Sequence, residues 1–177
     1  MSSIEVTLPD GSTRSVERGT SCLEFARTIG RKLAEDALAV EVDGVLRDLG
    51  SPLTDSAAVR FVMFESDAGR DIFWHSSSHV MAQAVCRLFP GTRYSIGPAI
   101  ENGFYYDFDS DHVFTPEDLV RIESEMAKIA SEKIPFARRE LPRDEAVAFF
   151  TERGNTYKPE IISELHEGYI ISLYEQG

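Results

Sequence analysis

The chain opens on an alternation. Ile4, Val6 and Leu8 are apolar and Glu5 and Thr7 between them are polar, the period-two pattern of a half-buried strand. Pro9-Asp10-Gly11-Ser12 follows, and Asp-Gly marks a hairpin turn because glycine takes positive φ at little cost. Residues 13–17 supply the partner strand. Ser21 then opens a helix, with Glu24 three places on as its capping-box partner. Phe25, Ile29 and Leu33 recur every four residues, on the face predicted to meet the sheet. Residues 39–42 and 45–47 flank Asp43-Gly44 and read as a second hairpin, and residues 59–64 read as the closing strand.

The order β-β-α-β-β-β over residues 1–64 describes a ubiquitin-like β-grasp. The polar, glycine-containing stretch 65–70 reads as a linker to a second domain over residues 71–177. There the period changes. Residues 71–88 form a predicted helix, capped by Asp71 and ended by Pro90-Gly91. Phe73, Ser77, Val80, Met81, Ala84 and Leu88 fall on one face, and His75, His79, Ala82 and Cys86 on nearly the opposite one. Residues 93–100 read as a strand broken at Gly97-Pro98, and residues 104–109 as its partner across an Asn102-Gly103 turn. That partner would carry Phe104, Tyr106 and Phe108 on one face and Tyr105 on the other.

Thr115-Pro116-Glu117-Asp118 is a helix start, with Leu119, Ile122, Met126 and Ile129 as its buried stripe and its acids as a solvated face. A strand at 136–140, a helix at 143–153 closed by Gly154, a short helix from Tyr157-Lys158-Pro159 to 165 and a last strand at 169–174 complete an α+β fold.

Composition narrows the classes. Of 177 residues, 42% are hydrophobic and 10% aromatic, enough for one ordinary or two small cores. No apolar run approaches the ~20 residues of a membrane-spanning helix, and the first residues lack a secretory pattern. Two cysteines, Cys22 and Cys86, make no disulfide framework, so a reducing cytoplasmic setting is expected. The net charge of −12 divides into −4 over residues 1–66 and −8 over residues 67–177. It argues against gripping nucleic acid by bulk charge.

The chemistry centres on His75 and His79. A spacing of four sets side chains about 40° apart and one turn along a helix, so two imidazoles can converge on one water, metal or substrate group, or simply face solvent. Ser76 stands where a zinc protease would have glutamate, which disfavours that chemistry. Cys86 lies ~10 Å further along, too far to share one metal with both histidines. The aromatic hairpin that follows could deliver a tyrosine hydroxyl to the same place.

Residues Ile4 to Ser12 resemble the opening of the TGS domain. His75-Ser76-Ser77-Ser78-His79, Ser95-Ile96-Gly97-Pro98 and Glu101-Asn102-Gly103-Phe104-Tyr105-Tyr106-Asp107, in that order behind it, resemble the N-terminal region of the bacterial threonyl-tRNA synthetases. The resemblance covers essentially the whole chain. It implies a TGS domain followed by an editing domain, which hydrolyses serine wrongly esterified to tRNA(Thr). One methyl group gives a synthetic site only about 1–3 kcal/mol of discrimination between threonine and serine, so a second sieve is needed.

By position the resemblance makes His75, His79 and Lys158 catalytic and Tyr106 substrate-binding. In the family the site is completed by a downstream aspartate and a Cys-x-x-x-His element. Here the editing domain is expected to be incomplete at its C-terminal end, and independent editing activity is not expected. The two histidines form at most part of a zinc site, which takes three or four ligands. ATP and zinc are expected only in the family's catalytic core, tRNA(Thr) as partner of the whole protein, dimerisation through domains beyond this chain, and this piece as a monomer. Two other readings stay open: a non-catalytic TGS-type RNA-binding module, and the N-terminal part of a nucleoside-kinase-like protein with the same two domains.

Overall fold

The computed structural model describes residues 2–95, 97–135, 137–155, 157–166 and 168–175. The described residues fall into two compact units, residues 1–76 with 99–102, and residues 77–98 with 103–177.

In the first unit, β1 (Ser3–Thr7) and β2 (Thr13–Glu17) form an antiparallel hairpin. Gly11 takes φ 82° at the turn, and Asp10 Oδ1 accepts the Ser12 N–H at 2.9 Å. Next come α1 (Cys22–Ile29), α2 (Arg31–Asp36), β3 (Ala39–Val42), β4 (Val45–Arg47) and β5 (Ala57–Val62). The sheet order is β2-β1-β5-β3-β4, with β1 and β5 parallel, which is the β-grasp arrangement. The Ser21–Glu24 capping box is present at the start of α1.

Cys22 and Phe25 on that helix are fully buried with Val6, Val40, Leu53 and Val59. Burial of a side chain such as Phe25 contributes roughly 1.5–3 kcal/mol. The expected single helix through Leu33 is interrupted. Gly30 adopts extended backbone (φ −179°, ψ 143°), so Leu33 belongs to a separate short helix that buries no residue fully. Between β3 and β4, Asp43 and Gly44 both take positive φ, as a two-residue type I′ turn demands. Asp43 Oδ1 also accepts the Ala58 N–H at 2.8 Å.

The next helix, α3 (Asp67–Leu88), begins four residues before the predicted cap. Ser66 Oγ accepts the Gly69 N–H at 3.1 Å and so caps the earlier start. Much of the expected linker is therefore helical. Gly69 lies so close to the Met63 carbonyl that a Cβ would stand 1.9 Å from its oxygen. Phe73, predicted on the buried face, is exposed and meets Phe64 and Trp74 edge-on.

In the second unit, α3 is buried on two sides. Ala84 packs with Val80, Met81 and Leu88 as expected, but Ser78, Ala82, Val85 and Phe89 are buried as well. Thus Ala82, assigned to the histidine stripe, is a core residue. Short strands β6 (Arg93–Tyr94), β7 (Ala99–Ile100), β8 (Gly103–Phe104) and β9 (Phe108–Asp109) replace the two long strands predicted. Pro98 brings no N–H to a ladder. β6 pairs antiparallel with β9.

Helix α4 (Pro116–Glu132) carries the expected Thr115 cap, now seen as a reciprocal box with Asp118. Ile122 and Ile129 are buried, whereas Leu119, predicted to join them, is 62% exposed. β10 (Ala137–Pro142) leads into α5 (Arg143–Glu152), then α6 (Tyr157–Ser163) and β11 (Ile170–Glu175), and β10 pairs antiparallel with β11. The predicted strand residue Phe136, Ile96 of the first aromatic strand, and the chain's last two residues lie outside the described residues.

Candidate functional site

Three of the four expected site residues, His79, Tyr106 and Lys158, lie in the second unit and are linked through Tyr94. The carrier of the first is α3, from which His79 projects exposed one residue after the fully buried Ser78. Its ring lies edge-on to Tyr106, with centroids 6.4 Å apart. Tyr106 is half-buried, stacks on Phe108 at 5.2 Å and meets Tyr94 edge-on at 6.1 Å. Tyr94 in turn lies beneath Lys158, whose Nζ stands 5.1 Å from its ring centre and 4.8 Å from that of Phe150. Pair contacts thus link the four groups in the order imidazole, phenol, phenol, ammonium. His75 is exposed on the preceding turn of α3 and falls in the first unit.

The position of Lys158 is set locally. Asn155 Oδ1 accepts the N–H groups of Tyr157 and Lys158 at 3.1 and 2.9 Å and so caps α6. The Tyr157 hydroxyl donates to Asp109 Oδ2 at 3.0 Å, and Arg93 pairs with the same carboxylate at 2.8 Å. This ties the lysine helix to the β6–β9 ribbon.

Electrostatics follow from burial. Lys158 is half-buried among rings and makes no ion pair among the described residues. Desolvation holds its ammonium below the ordinary lysine range. Burial pushes the Tyr106 phenol up to about 12, with Tyr94 and Cys86 adding to the rise, so at neutral pH it is a hydrogen-bond donor. Burial also raises Tyr94 and the Cys86 thiol. The Cys86 Sγ points at the Thr92 carbonyl, 3.9 Å away. Cys22, at the start of α1, is buried and its thiol raised, as a packing residue would be.

Among the described residues, no three His, Cys, Asp or Glu side chains stand together as metal ligands. Two imidazoles alone fall short of the three or four ligands that zinc takes.

A cleft of about 610 Å³ in the first unit is lined by Asp67, Arg70, Asp71, Trp74, Ile100 and Glu101, among others, and by none of the four expected residues.

Some features escaped the sequence reading. Tyr94 and Phe150 sit 56 residues apart in number, and both rings lie about 5 Å from the Lys158 Nζ. Asp118, assigned to a solvated face, is buried. Its Oδ2 lies 2.7 Å from His112 Nε2, and Arg121 donates to Oδ1 at 3.0 Å. The hydrogen bond from His112, with those from Thr115, holds its carboxyl at about 2 despite desolvation. The one available signal was the capping-box spacing from Thr115.

Comparison with known proteins gives two findings. Residues 4–63 match the TGS domain, so the β-grasp unit carries that module. The whole chain is similar to the N-terminal region of threonine–tRNA ligases. It is 47% identical over 174 residues to the one from Carboxydothermus hydrogenoformans and 50% over 175 residues to that of Pelodictyon phaeoclathratiforme, in each case covering 98% of this chain and 27% of the relative. For the enzyme of Chlorobaculum tepidum the figures are 47% over 173 residues, 97% and 26%. The chain thus spans about a quarter of the relatives it matches. No described helix is long and apolar enough to cross a membrane.

Proposed function

We propose that the second unit carries the hydrolytic editing part of a threonine–tRNA ligase, acting on serine esterified to tRNA(Thr). The observation that carries this reading is the succession of contacts His79–Tyr106–Tyr94–Lys158, which offers a proton acceptor, neutral donors and a cation that has no carboxylate partner among the described residues. Hydrolysis of an aminoacyl ester needs those functions. Water adds to the ester carbonyl carbon and gives up a proton to a base. The oxyanion collapses, the bond to the ribose oxygen breaks, and that oxygen takes a proton.

His79, with His75 one turn before it, serves as the base that holds the water and returns the proton. Lys158 faces the developing oxyanion or a neighbouring phosphate, and the Tyr106 phenol donates to the substrate. Aminoacylation with ATP, the tRNA grip, a zinc-bearing core and the dimer contact belong on this reading to the remainder of such a protein, which works in the cytoplasm.

The test is hydrolysis of Ser-tRNA(Thr) by the whole ligase containing this region, with the isolated chain in parallel. His75→Ala and His79→Ala should each abolish it while leaving aminoacylation with threonine intact. Full hydrolysis in either variant overturns the assignment. RNA affinity that survives removal of residues 67–177, with no hydrolysis by the whole protein, would favour a non-catalytic TGS module.

A further inference from the structure

We infer that Ser78 and Gly97 are positioning residues that set the Tyr106 ring against His79. For the consequence on hydrolysis, the inference rests on the editing reading above.

Ser78 is fully buried on α3. A hydroxyl in such a place is unfavourable unless bonded. Its Oγ donates to the carbonyl of Gly97, 2.9 Å away and 19 residues along the chain. That bond holds the Gly97 carbonyl in place, and Pro98 beside it brings no N–H to any ladder.

Gly97 is there for closeness, since its φ lies outside the left-handed region that favours glycine. A Cβ on it would stand 2.0 Å from Tyr106 Cδ2 and 2.2 Å from Cε2. No side chain fits against a ring at that separation. The ring therefore lies directly on the backbone that Ser78 holds. Phe108 stacks on Tyr106, and His79 and Tyr94 meet it edge-on. With these contacts filled, the phenol has one orientation, and His79 has a fixed wall on that side. Small displacements of such a wall matter to a reaction that needs its groups within fractions of an ångström.

Carbon-13 aromatic spectra of the full chain test this without a substrate. Ser78→Ala should keep the wild-type far-UV circular dichroism and shift the Tyr106 and His79 ring signals. Ser78→Thr, which keeps the hydroxyl, should bring them back toward wild type. In the whole ligase Ser78→Ala should lower kcat for Ser-tRNA(Thr) hydrolysis by about tenfold with KM within about twofold.

Gly97→Ala gives an independent arm. It should destabilise the chain strongly when Tyr106 is present and much less in a Tyr106→Leu background. The inference falls if the ring signals of a folded Ser78→Ala chain overlay on wild type. Should Ser78→Ala not fold, the Gly97 cycle decides, and equal destabilisation with and without the Tyr106 ring overturns it. Shifted rings in Ser78→Ala, together with a wild-type ligase that hydrolyses no Ser-tRNA(Thr), would instead remove the editing reading and leave the positioning intact.

Discussion

Lys158 holds its ammonium 5.1 Å from the centre of the Tyr94 ring, half-buried and without an ion-pair partner among the described residues. The ring face attracts the cation but does not replace its lost hydration. Lys158→Met should therefore stabilise the chain by about 0.5–1 kcal/mol in urea unfolding while removing most Ser-tRNA(Thr) hydrolysis. The sign with pH is specific. Because the folded state holds this proton less tightly than the unfolded one, wild type gains stability as pH rises through the folded pKa toward ~10.4. The gap between variant and wild type should close over that range.

Tyr106 gives the opposite trend. Its phenol, pushed up to about 12, keeps its proton in the folded state after an unfolded tyrosine near 10 has lost it. Stability from this group is complete below about pH 10 and lost as pH rises toward 12. Absorbance at the tyrosinate band should show Tyr106 ionising after the exposed tyrosines, and Tyr106→Phe should remove that late step.

Asp118 governs the acid side. Its carboxyl, held at about 2 chiefly by His112, contributes stability that is present above about pH 4 and lost as pH falls toward 2. His112→Ala removes the largest cause. Acid unfolding followed by circular dichroism should then begin at higher pH.

Gly69→Ala should destabilise the first unit by about 1–3 kcal/mol, because the added carbon would stand 1.9 Å from the Met63 carbonyl oxygen and the helix start would have to shift. Thermal melts measure it. A melt equal to wild type would mean that α3 can start elsewhere without loss.

The β-grasp unit was legible because its signals are local. Asp10-Gly11 and Asp43-Gly44 specify turns, Ser21 and Glu24 specify a cap, and each acts within four residues. Where the deciding contact lies further off, the reading strayed. Gly30 breaks the first helix in the middle of a good periodic stripe. Phe73 and Leu119 have helical spacing yet stay exposed, because the elements beside them do not cover them. Asp118 looked like any first-turn acid, and only the fold brings His112 onto it.

The candidate site divides in the same way. Helical spacing marks His75 and His79, and motif resemblance marks Tyr106 and Lys158; His79, Tyr106 and Lys158 lie in the second unit, linked through Tyr94. Ser78, Gly97 and Tyr94 were not named as site residues. Their roles lie in contacts across 64 positions at the longest, from Tyr94 to Lys158, and periodicity carries no record of these.

The sheet order of the first unit bears on how the chain assembles as it is made. β5 is the central strand and also the last synthesised, and it pairs with β1 on one side and β3 on the other. Before it emerges, β1–β2 and β3–β4 are separate hairpins, each too small to persist in water. The unit therefore closes in one late event, when residues 57–62 leave the ribosome and join two halves made earlier. A nascent chain from which residues 57–62 have not yet emerged holds no closed sheet, because β1 and β3 then lack the strand that lies between them.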